Sequence, residues 1–178
     1  MMELKDFIKI YHNVMPLEMC DSLIVNYDIS SKITHNNDVG VFSEVNINQH
    51  STNRELIRNV TYLQTAIFNH YRQEIMPFTM PNPTNYEEYR VKRYDVGGKF
   101  DWHIDVADHN SARRYLAFLW YLSDNKDTGK TVFFKDTPLE FTPQKGSVLV
   151  FPPLWLFPHK GSTVEHGHKY IMSSYLHY

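Results

Sequence analysis

The chain has 178 residues, with 18 lysines and arginines against 20 aspartates and glutamates, so its formal net charge is −2. This balance excludes the overall basic field that would draw a protein onto nucleic acid or an anionic membrane. A single cysteine, Cys20, also excludes an internal disulfide framework and a cysteine-ligated zinc site.

The N-terminal half, residues 1–85, is predicted to form one strand and two supporting helices. Phe7–Tyr11 alternates as a first strand, and apolar residues at three- and four-residue intervals predict a helix over 16–27. The longest helix is predicted to end near Ile75, because a proline follows at position 77. Its N-cap candidates are Ser51, Thr52 and Asn53.

The C-terminal half changes to short strands separated by turn signals. The predicted strands are Tyr86–Tyr94, Lys99–His103, Arg114–Leu122, Thr131–Phe134, Leu139–Thr142, Ser147–Phe151, Leu156–His159 and Lys169–Leu176. Such a series fits a double-sheet jelly roll, and the aromatic share of 15% also favours strands. We therefore predict one mainly β domain over 1–178, with supporting N-terminal helices and a jelly-roll core over 86–178.

Three residues form a candidate metal site. His103 and Asp105 are two positions apart, so on a strand their side chains project from the same face. A third ligand is needed, and the best candidate is His159, which follows a second apolar run. Two histidines and one carboxylate are typical of non-haem iron(II) oxygenases, whereas zinc with the same ligands is also chemically feasible.

A lysine follows the distal histidine of this set. Lys169 lies ten positions after His159, in a short apolar segment that is predicted to be a returning strand. A lysine that points into a barrel needs an anion as its partner. The sequence therefore predicts an anionic ligand near the metal.

Together with a Tyr-x8-His-x-Asp segment that starts at Tyr94, these features resemble a known family. From roughly Tyr86 to Leu176 the chain is similar to the iron(II)/2-oxoglutarate dioxygenases of the prolyl 4-hydroxylase branch. In that branch a His-x-Asp pair is followed by a distal His and, ten residues later, by a Lys. The resemblance implies a double-stranded β-helix, which is the jelly-roll fold.

The resemblance also implies roles for single residues. His103, Asp105 and His159 would be the catalytic iron ligands, and Lys169 would pair with the distal carboxylate of 2-oxoglutarate. The other residues expected around this cosubstrate are Tyr121 and Thr131, as hydrogen-bonding partners, and Tyr94, as a wall of its pocket.

The sequence departs from the family pattern at two places. The family commonly has Gly-Gly-Glu-Thr before the threonine of the pocket, whereas this chain has Thr-Gly-Lys before Thr131. Tyr175 stands sixteen residues after the distal histidine, where the family often has Trp, and it could alter the substrate wall. Arg113 and Arg114 precede a strand and are interpreted as solvated loop ends.

The resemblance implies an enzyme that uses Fe(II), 2-oxoglutarate and O2, with ascorbate as a candidate reductant. It would hydroxylate an unactivated C–H, in the leading hypothesis that of a peptidyl proline, and release succinate and CO2. The expected partner is a protein or peptide substrate, or else a small molecule, without nucleic acid or membrane. Two alternatives stay open: a nucleic-acid demethylase of the same superfamily, and a non-catalytic metal-binding jelly-roll module. Because no signal peptide or apolar span is evident, we expect a soluble cytoplasmic protein.

Overall fold

The computed structural model describes residues 2–49 and 53–178, so the N-cap candidates Ser51 and Thr52 lie outside the described residues. The helices within them are α1 (Leu17–Ile29) and α2 (Arg54–Ile75), with short 3-10 helices at Leu4–Phe7 and Ile47–Gln49. The strands are β1 (Lys9–Tyr11), β2 (Ile33–Asn36), β3 (Gly40–Asn46), β4 (Asn85–Tyr86), β5 (Arg90–Tyr94), β6 (Lys99–His103), β7 (Arg114–Tyr121), β8 (Thr131–Phe133), β9 (Leu139–Phe141), β10 (Ser147–Phe151), β11 (His159–Gly161) and β12 (Lys169–His177).

These strands form one antiparallel sheet that is curled into a half-barrel. The larger part has the order β1-β10-β7-β12-β5-β3, and the smaller part has the order β6-β11-β8-β9. Strand β3 joins the two parts, because Ser43 pairs with Arg93 of β5 and Gly40 pairs with Phe100 of β6. The mainly β, double-stranded β-helix fold predicted from the sequence is confirmed.

The two helices cover the outer face of the larger part of the sheet. Both present apolar side chains at three- and four-residue intervals, such as Cys20, Leu23 and Tyr27 of α1, all of which are buried. Helix α2 ends at Ile75, two residues before a proline that has no backbone N–H to donate. Within 2–49 and 53–178, no helix is long and apolar enough to cross a membrane.

Strict alternation divides the side chains of the larger part between two cores. Along β7, Leu116, Phe118 and Trp120 belong to the core beneath the helices, whereas Ala117 and Tyr121 belong to the core inside the half-barrel. Successive side chains of a strand point to opposite faces, so one strand can build both a helix-packing surface and a pocket wall. The pocket lies on the inner face.

The predicted strands differ from the structure at three places. The segment predicted as one strand over Tyr86–Tyr94 is interrupted, because β4 ends at Tyr86 and β5 begins at Arg90. The predicted strand over Leu156–His159 is wrong, because β11 begins only at His159. The residues before it form a turn, in which Phe157 N–H donates a hydrogen bond of 2.9 Å to the carbonyl of Leu154. The apolar character of this segment was misleading, because the Trp155 side chain is 72% exposed. Strand β2 was not predicted, since its largely exposed residues carry no clear alternation of apolar and polar types.

Candidate active site

The candidate metal ligands meet where β6 and β11 pair. His103 is the last residue of β6 and His159 is the first of β11, and the two are direct partners in the antiparallel register. Asp105 follows β6 by two residues. Its Oδ1 lies 3.6 Å from His103 Nε2, and its Oδ2 lies 3.5 Å from His159 Nε2. One ligand atom from each residue lies within 4.8 Å of the others, which is a suitable cluster for one metal ion.

Backbone carbonyls fix the tautomer of both imidazoles. His103 Nδ1–H donates to the Asp101 carbonyl at 2.8 Å, and His159 Nδ1–H donates to the Phe157 carbonyl at 3.1 Å. Each Nε2 is therefore left with its lone pair toward the cluster, as metal coordination requires. Burial, reinforced by the nearby His159, lowers the pKa of His103 to about 4, so this ring is neutral near pH 7.

A network of polar side chains orients Asp105. Tyr175 donates its hydroxyl to Asp105 Oδ1 at 2.9 Å, and Arg114 Nη1 donates to the Asp105 carbonyl at 2.9 Å. The guanidinium of Arg114 also lies 4.1 Å from the Tyr175 ring centroid. Burial raises the pKa of Tyr175 well above its usual value, with a further contribution from Asp105, so the phenol stays a donor.

The network is anchored by Glu87. Arg114 Nε and Nη2 donate to its two carboxylate oxygens at 2.7 and 2.6 Å, and His177 Nε2 lies 2.9 Å from one of them. Burial opposes ionisation, but these hydrogen bonds outweigh it and hold the pKa of Glu87 below its ordinary value. The interpretation of Arg114 as a solvated loop end is therefore wrong. The sequence feature that could have indicated this role is a charged residue at the start of an otherwise apolar strand.

The three ligands face a cavity on the inner face of the sheet. The space in it that is accessible to the centre of a water-sized sphere is about 40 Å³. Its lining includes, besides the three ligands, Lys92, Tyr94, Phe100, Leu119, Thr131, Phe151, Lys169, Ile171 and Tyr175. Most of these side chains are apolar or aromatic, with a few polar groups that converge, as is typical of a small-molecule site.

Lys169 projects into this cavity from the start of β12. It is only 2% exposed, its Nζ lies 5.4 Å from the ring centroid of Tyr94, and no carboxylate of the described residues lies within 4.0 Å of it. Burial lowers the pKa of its amine to about 7. Gly129 leaves room for the side chain of Lys169, because a Cβ at position 129 would lie only 3.0 Å from Lys169 Cδ. A buried lysine with no anionic partner among the residues that the structure describes is suited to an anionic ligand.

The other residues predicted around a cosubstrate lie at the same end of the cavity. Thr131 and Tyr94 line it, and both are buried. Tyr121 lies behind Thr131 and donates its hydroxyl to Thr131 Oγ1 at 2.8 Å. The sequence assigned no role to Lys92, which also lines the cavity.

The donor set fits a divalent metal with open coordination positions. Two imidazole nitrogens and one carboxylate converge from one side, which leaves the opposite side free toward the cavity. The ammonium of Lys169, which has no ion-pair partner among the described residues, lines the same cavity and suits one carboxylate of a 2-oxo acid. The residues therefore fit iron(II) and 2-oxoglutarate.

Comparison with known proteins gives the same assignment. The family model of the 2OG-Fe(II) oxygenase superfamily matches residues 89–177, which is half of the chain. The chain is 32% identical over 74 residues to Probable prolyl 4-hydroxylase 9 of Arabidopsis thaliana. That match covers 39% of this chain and 26% of the relative, so the chain spans about a quarter of the relative's length.

Solved structures show the same fold at low sequence identity. A prolyl hydroxylase from Trichoplax adhaerens, in complex with a hypoxia inducible factor oxygen degradation domain peptide, aligns with a TM-score of 0.79 and 14% identity, over 97% of this chain and 84% of its own. The viral collagen prolyl hydroxylase of Paramecium Bursaria Chlorella virus-1, in a 2OG complex, aligns with a TM-score of 0.73 and 20% identity, over 96% and 95%.

Proposed function

Because the chain belongs to the 2OG-Fe(II) oxygenase superfamily, we propose that it hydroxylates an unactivated C–H of a peptidyl proline. The reaction would consume 2-oxoglutarate and O2 and release succinate and CO2. The observation that carries this proposal is that the His103, Asp105 and His159 cluster and the unpaired Lys169 share one cavity.

The three ligands would hold iron(II), which together with 2-oxoglutarate and O2 supplies the oxidant for the C–H bond. The contribution of the protein is to fix geometry. The carbonyls of Asp101 and Phe157 hold the two imidazoles, and Tyr175 and Arg114 hold Asp105. No side chain has to remove a proton from carbon in this reaction class.

Lys169 would bind the distal carboxylate of 2-oxoglutarate at the closed end of the cavity. Its ammonium would gain the anion that residues 2–49 and 53–178 do not provide, and Thr131 would be the neighbouring hydroxyl, held in place by Tyr121. An ion pair in a cavity with apolar walls is screened less than one in water, so it orients the cosubstrate strongly.

A peptide substrate is supported by an exposed apolar loop beside the segment that follows Asp105 and by a structural relative. The exposed side chains of Leu154, Trp155 and Leu156 lie in a loop that is tied to the segment after Asp105, since Val106 N–H donates to the Pro153 carbonyl at 3.1 Å. Such an apolar surface suits a peptide chain. The Trichoplax adhaerens relative is a prolyl hydroxylase with a bound peptide.

The test measures the hydroxylated peptide and the succinate formed from 2-oxoglutarate in the same samples. Purified protein is incubated with iron(II), 2-oxoglutarate, ascorbate and a pool of proline peptides, next to a matched pool in which alanine replaces proline. We expect succinate release and the gain of one oxygen atom by mass spectrometry in the proline pool only, and no reaction with His159→Ala. Succinate release that is stimulated equally by both pools would contradict a proline substrate. The absence of succinate from all samples would contradict the oxygenase function.

A further inference from the structure

Lys92 is a second lysine in the wall of the candidate active site. It lies in the middle of β5, opposite Ile171 of β12, and lines the same cavity as His103 and Asp105. Its Nζ lies 5.3 Å from the ring centroid of Phe42 and 5.7 Å from that of Phe100. The aromatic rings thus hold the ammonium at the cavity.

No anion of the described residues neutralises this ammonium at ion-pair distance. Its cross-strand partner is Glu44, but the Glu44 carboxylate lies within 3.6 Å of Arg90 and of His35 instead. Burial lowers the pKa of Lys92, and Glu44 and Asp105 only partly oppose this effect. A desolvated cation with no close partner is costly unless a ligand supplies the counter-charge.

A count of formal charges indicates which molecule could supply it. The two positive charges of iron(II) and the one of Lys169 balance the one negative charge of Asp105 and the two of 2-oxoglutarate. The charge of Lys92 is then left without a counterpart within the cavity. A substrate that carries one carboxylate near the reacting carbon would neutralise it.

We propose that Lys92 binds a carboxylate beside the metal site and thereby selects an acidic substrate. This inference rests on the proposed function, since it adds a determinant of substrate charge to the same cavity. A carboxylate there could also come from the metal-proximal end of 2-oxoglutarate. The two sources share one chemistry, and the experiment separates them.

The experiment compares Lys92→Met, which keeps the length of the side chain and removes its charge, with Lys92→Glu, which reverses the charge. Lys135→Met is the matched control, because Lys135 is exposed and lies outside the cavity. The first measurement is the affinity of the iron(II)-loaded protein for 2-oxoglutarate, from the visible charge-transfer band under anaerobic conditions. The second is succinate release with proline peptides flanked by Asp or Glu, against the same peptides flanked by Asn or Gln.

If the carboxylate belongs to the substrate, the wild type prefers the acidic pool, and the affinity for 2-oxoglutarate is the same in all variants. Lys92→Met then loses the preference, about 10- to 100-fold, as expected for a hydrogen bond to a charged group, and Lys92→Glu disfavours the acidic pool. If the carboxylate belongs to 2-oxoglutarate, Lys92→Met weakens the 2-oxoglutarate affinity by a similar factor, the acidic and amide pools react equally, and the selection of an acidic substrate by Lys92 is wrong. Lys135→Met changes neither.

Equal responses to the acidic and amide pools, together with an unchanged affinity for 2-oxoglutarate in Lys92→Met, would overturn the proposal. This outcome differs from a failure of the proposed function. In that case the wild type itself shows no charge-transfer band on addition of 2-oxoglutarate.

Discussion

The two faces of strands β7, β10 and β12 are built from alternating residues of the same chain segments, yet their side chains have different roles. The outer face carries Trp120, Val148 and Met172, all fully buried beneath α1 and α2. On the inner face of the same strands, Lys169 and Tyr175 line the cavity, and Tyr121 lies behind its wall residue Thr131.

This difference between the faces shows that alternate side chains of one strand can serve stability on the outer face and the candidate site on the inner face. Burial of apolar surface contributes about 25 cal/mol per Å², so the outer face is where large side chains stabilise the fold. On the inner face, a buried ammonium without an ion-pair partner among the described residues lowers stability. Substitutions on the two faces should therefore affect different measurements.

The largest expected effect on the outer face is that of Trp120→Ala. Removing this fully buried side chain should lower the free energy of unfolding by about 3 to 5 kcal/mol through lost contacts and a cavity. Denaturant unfolding measures this, with Tyr62→Ala as the control, since Tyr62 is 75% exposed on α2. Equal losses in the two variants would contradict the assignment of the outer face to stability.

The matching change on the inner face is Lys169→Met. It removes the proposed partner of the distal carboxylate, so the affinity for 2-oxoglutarate should fall by about 100- to 1000-fold or more. The free energy of unfolding of the ligand-free protein should not fall, because no described carboxylate pairs with this ammonium. Titration of the iron(II) protein and denaturant unfolding give the two numbers, and a variant that loses stability but keeps its affinity would refute the comparison.

Arg114→Met tests how the inner face is held in place. The variant loses the hydrogen bond to the Asp105 carbonyl and the ion pair with Glu87, so Asp105 is less well oriented. Groups that orient metal ligands typically contribute 10- to 100-fold to metal affinity, and we expect a loss in this range. Iron(II) titration measures it. An unchanged affinity would show that Tyr175 alone orients Asp105.

The pH dependence of stability sharpens the contrast further. Burial lowers the pKa of Lys169 from 10.5 to about 7, so between these values the unfolded state binds more protons than the folded state. The ligand-free protein should therefore gain stability as pH rises from about 7 toward 10, relative to Lys169→Met. Denaturant unfolding at several pH values measures the difference in unfolding free energy between the wild type and Lys169→Met. A difference that does not change with pH would mean that the ammonium is not buried in solution.

Tyr121→Phe should give the smallest effect. The hydroxyl of Tyr121 donates to Thr131 rather than into the cavity, so its loss acts only through the position of the threonine. One neutral hydrogen bond contributes about 0.5 to 1.5 kcal/mol, which predicts a loss of roughly 2- to 10-fold in 2-oxoglutarate affinity. A loss as large as that of Lys169→Met would instead place this hydroxyl in direct contact with the cosubstrate.

Local patterns were sufficient for much of the fold. Strands β6 and β10 begin and end where the sequence predicts, since turn residues frame short alternating or apolar segments. The pattern failed at Leu156, where apolar residues lie in a turn at the surface. Burial, and not apolar type alone, decides whether such a segment becomes a strand.

The candidate site was predictable where spacing along one strand decides it, and not where the fold brings separate strands together. The two-residue spacing predicts that His103 and Asp105 lie together, although Asp105 lies beyond the end of β6, whereas Lys169 was predicted from its position ten residues after His159 and from the family resemblance. The contact of Arg114 with Glu87 joins residues 27 positions apart in sequence, and no periodicity indicates it. The position of Lys92 in the cavity likewise depends on the pairing of β5 with β12.

The most direct test of the central claim is an anaerobic titration of metal-free protein with iron(II) and then 2-oxoglutarate. The account predicts a visible charge-transfer band in the wild type, its loss in His159→Ala, and an unchanged band in the exposed-lysine variant Lys135→Met. Iron(II) binding without a band on addition of 2-oxoglutarate, or a band that persists in His159→Ala, would contradict the claim that this cavity holds the metal and the cosubstrate together.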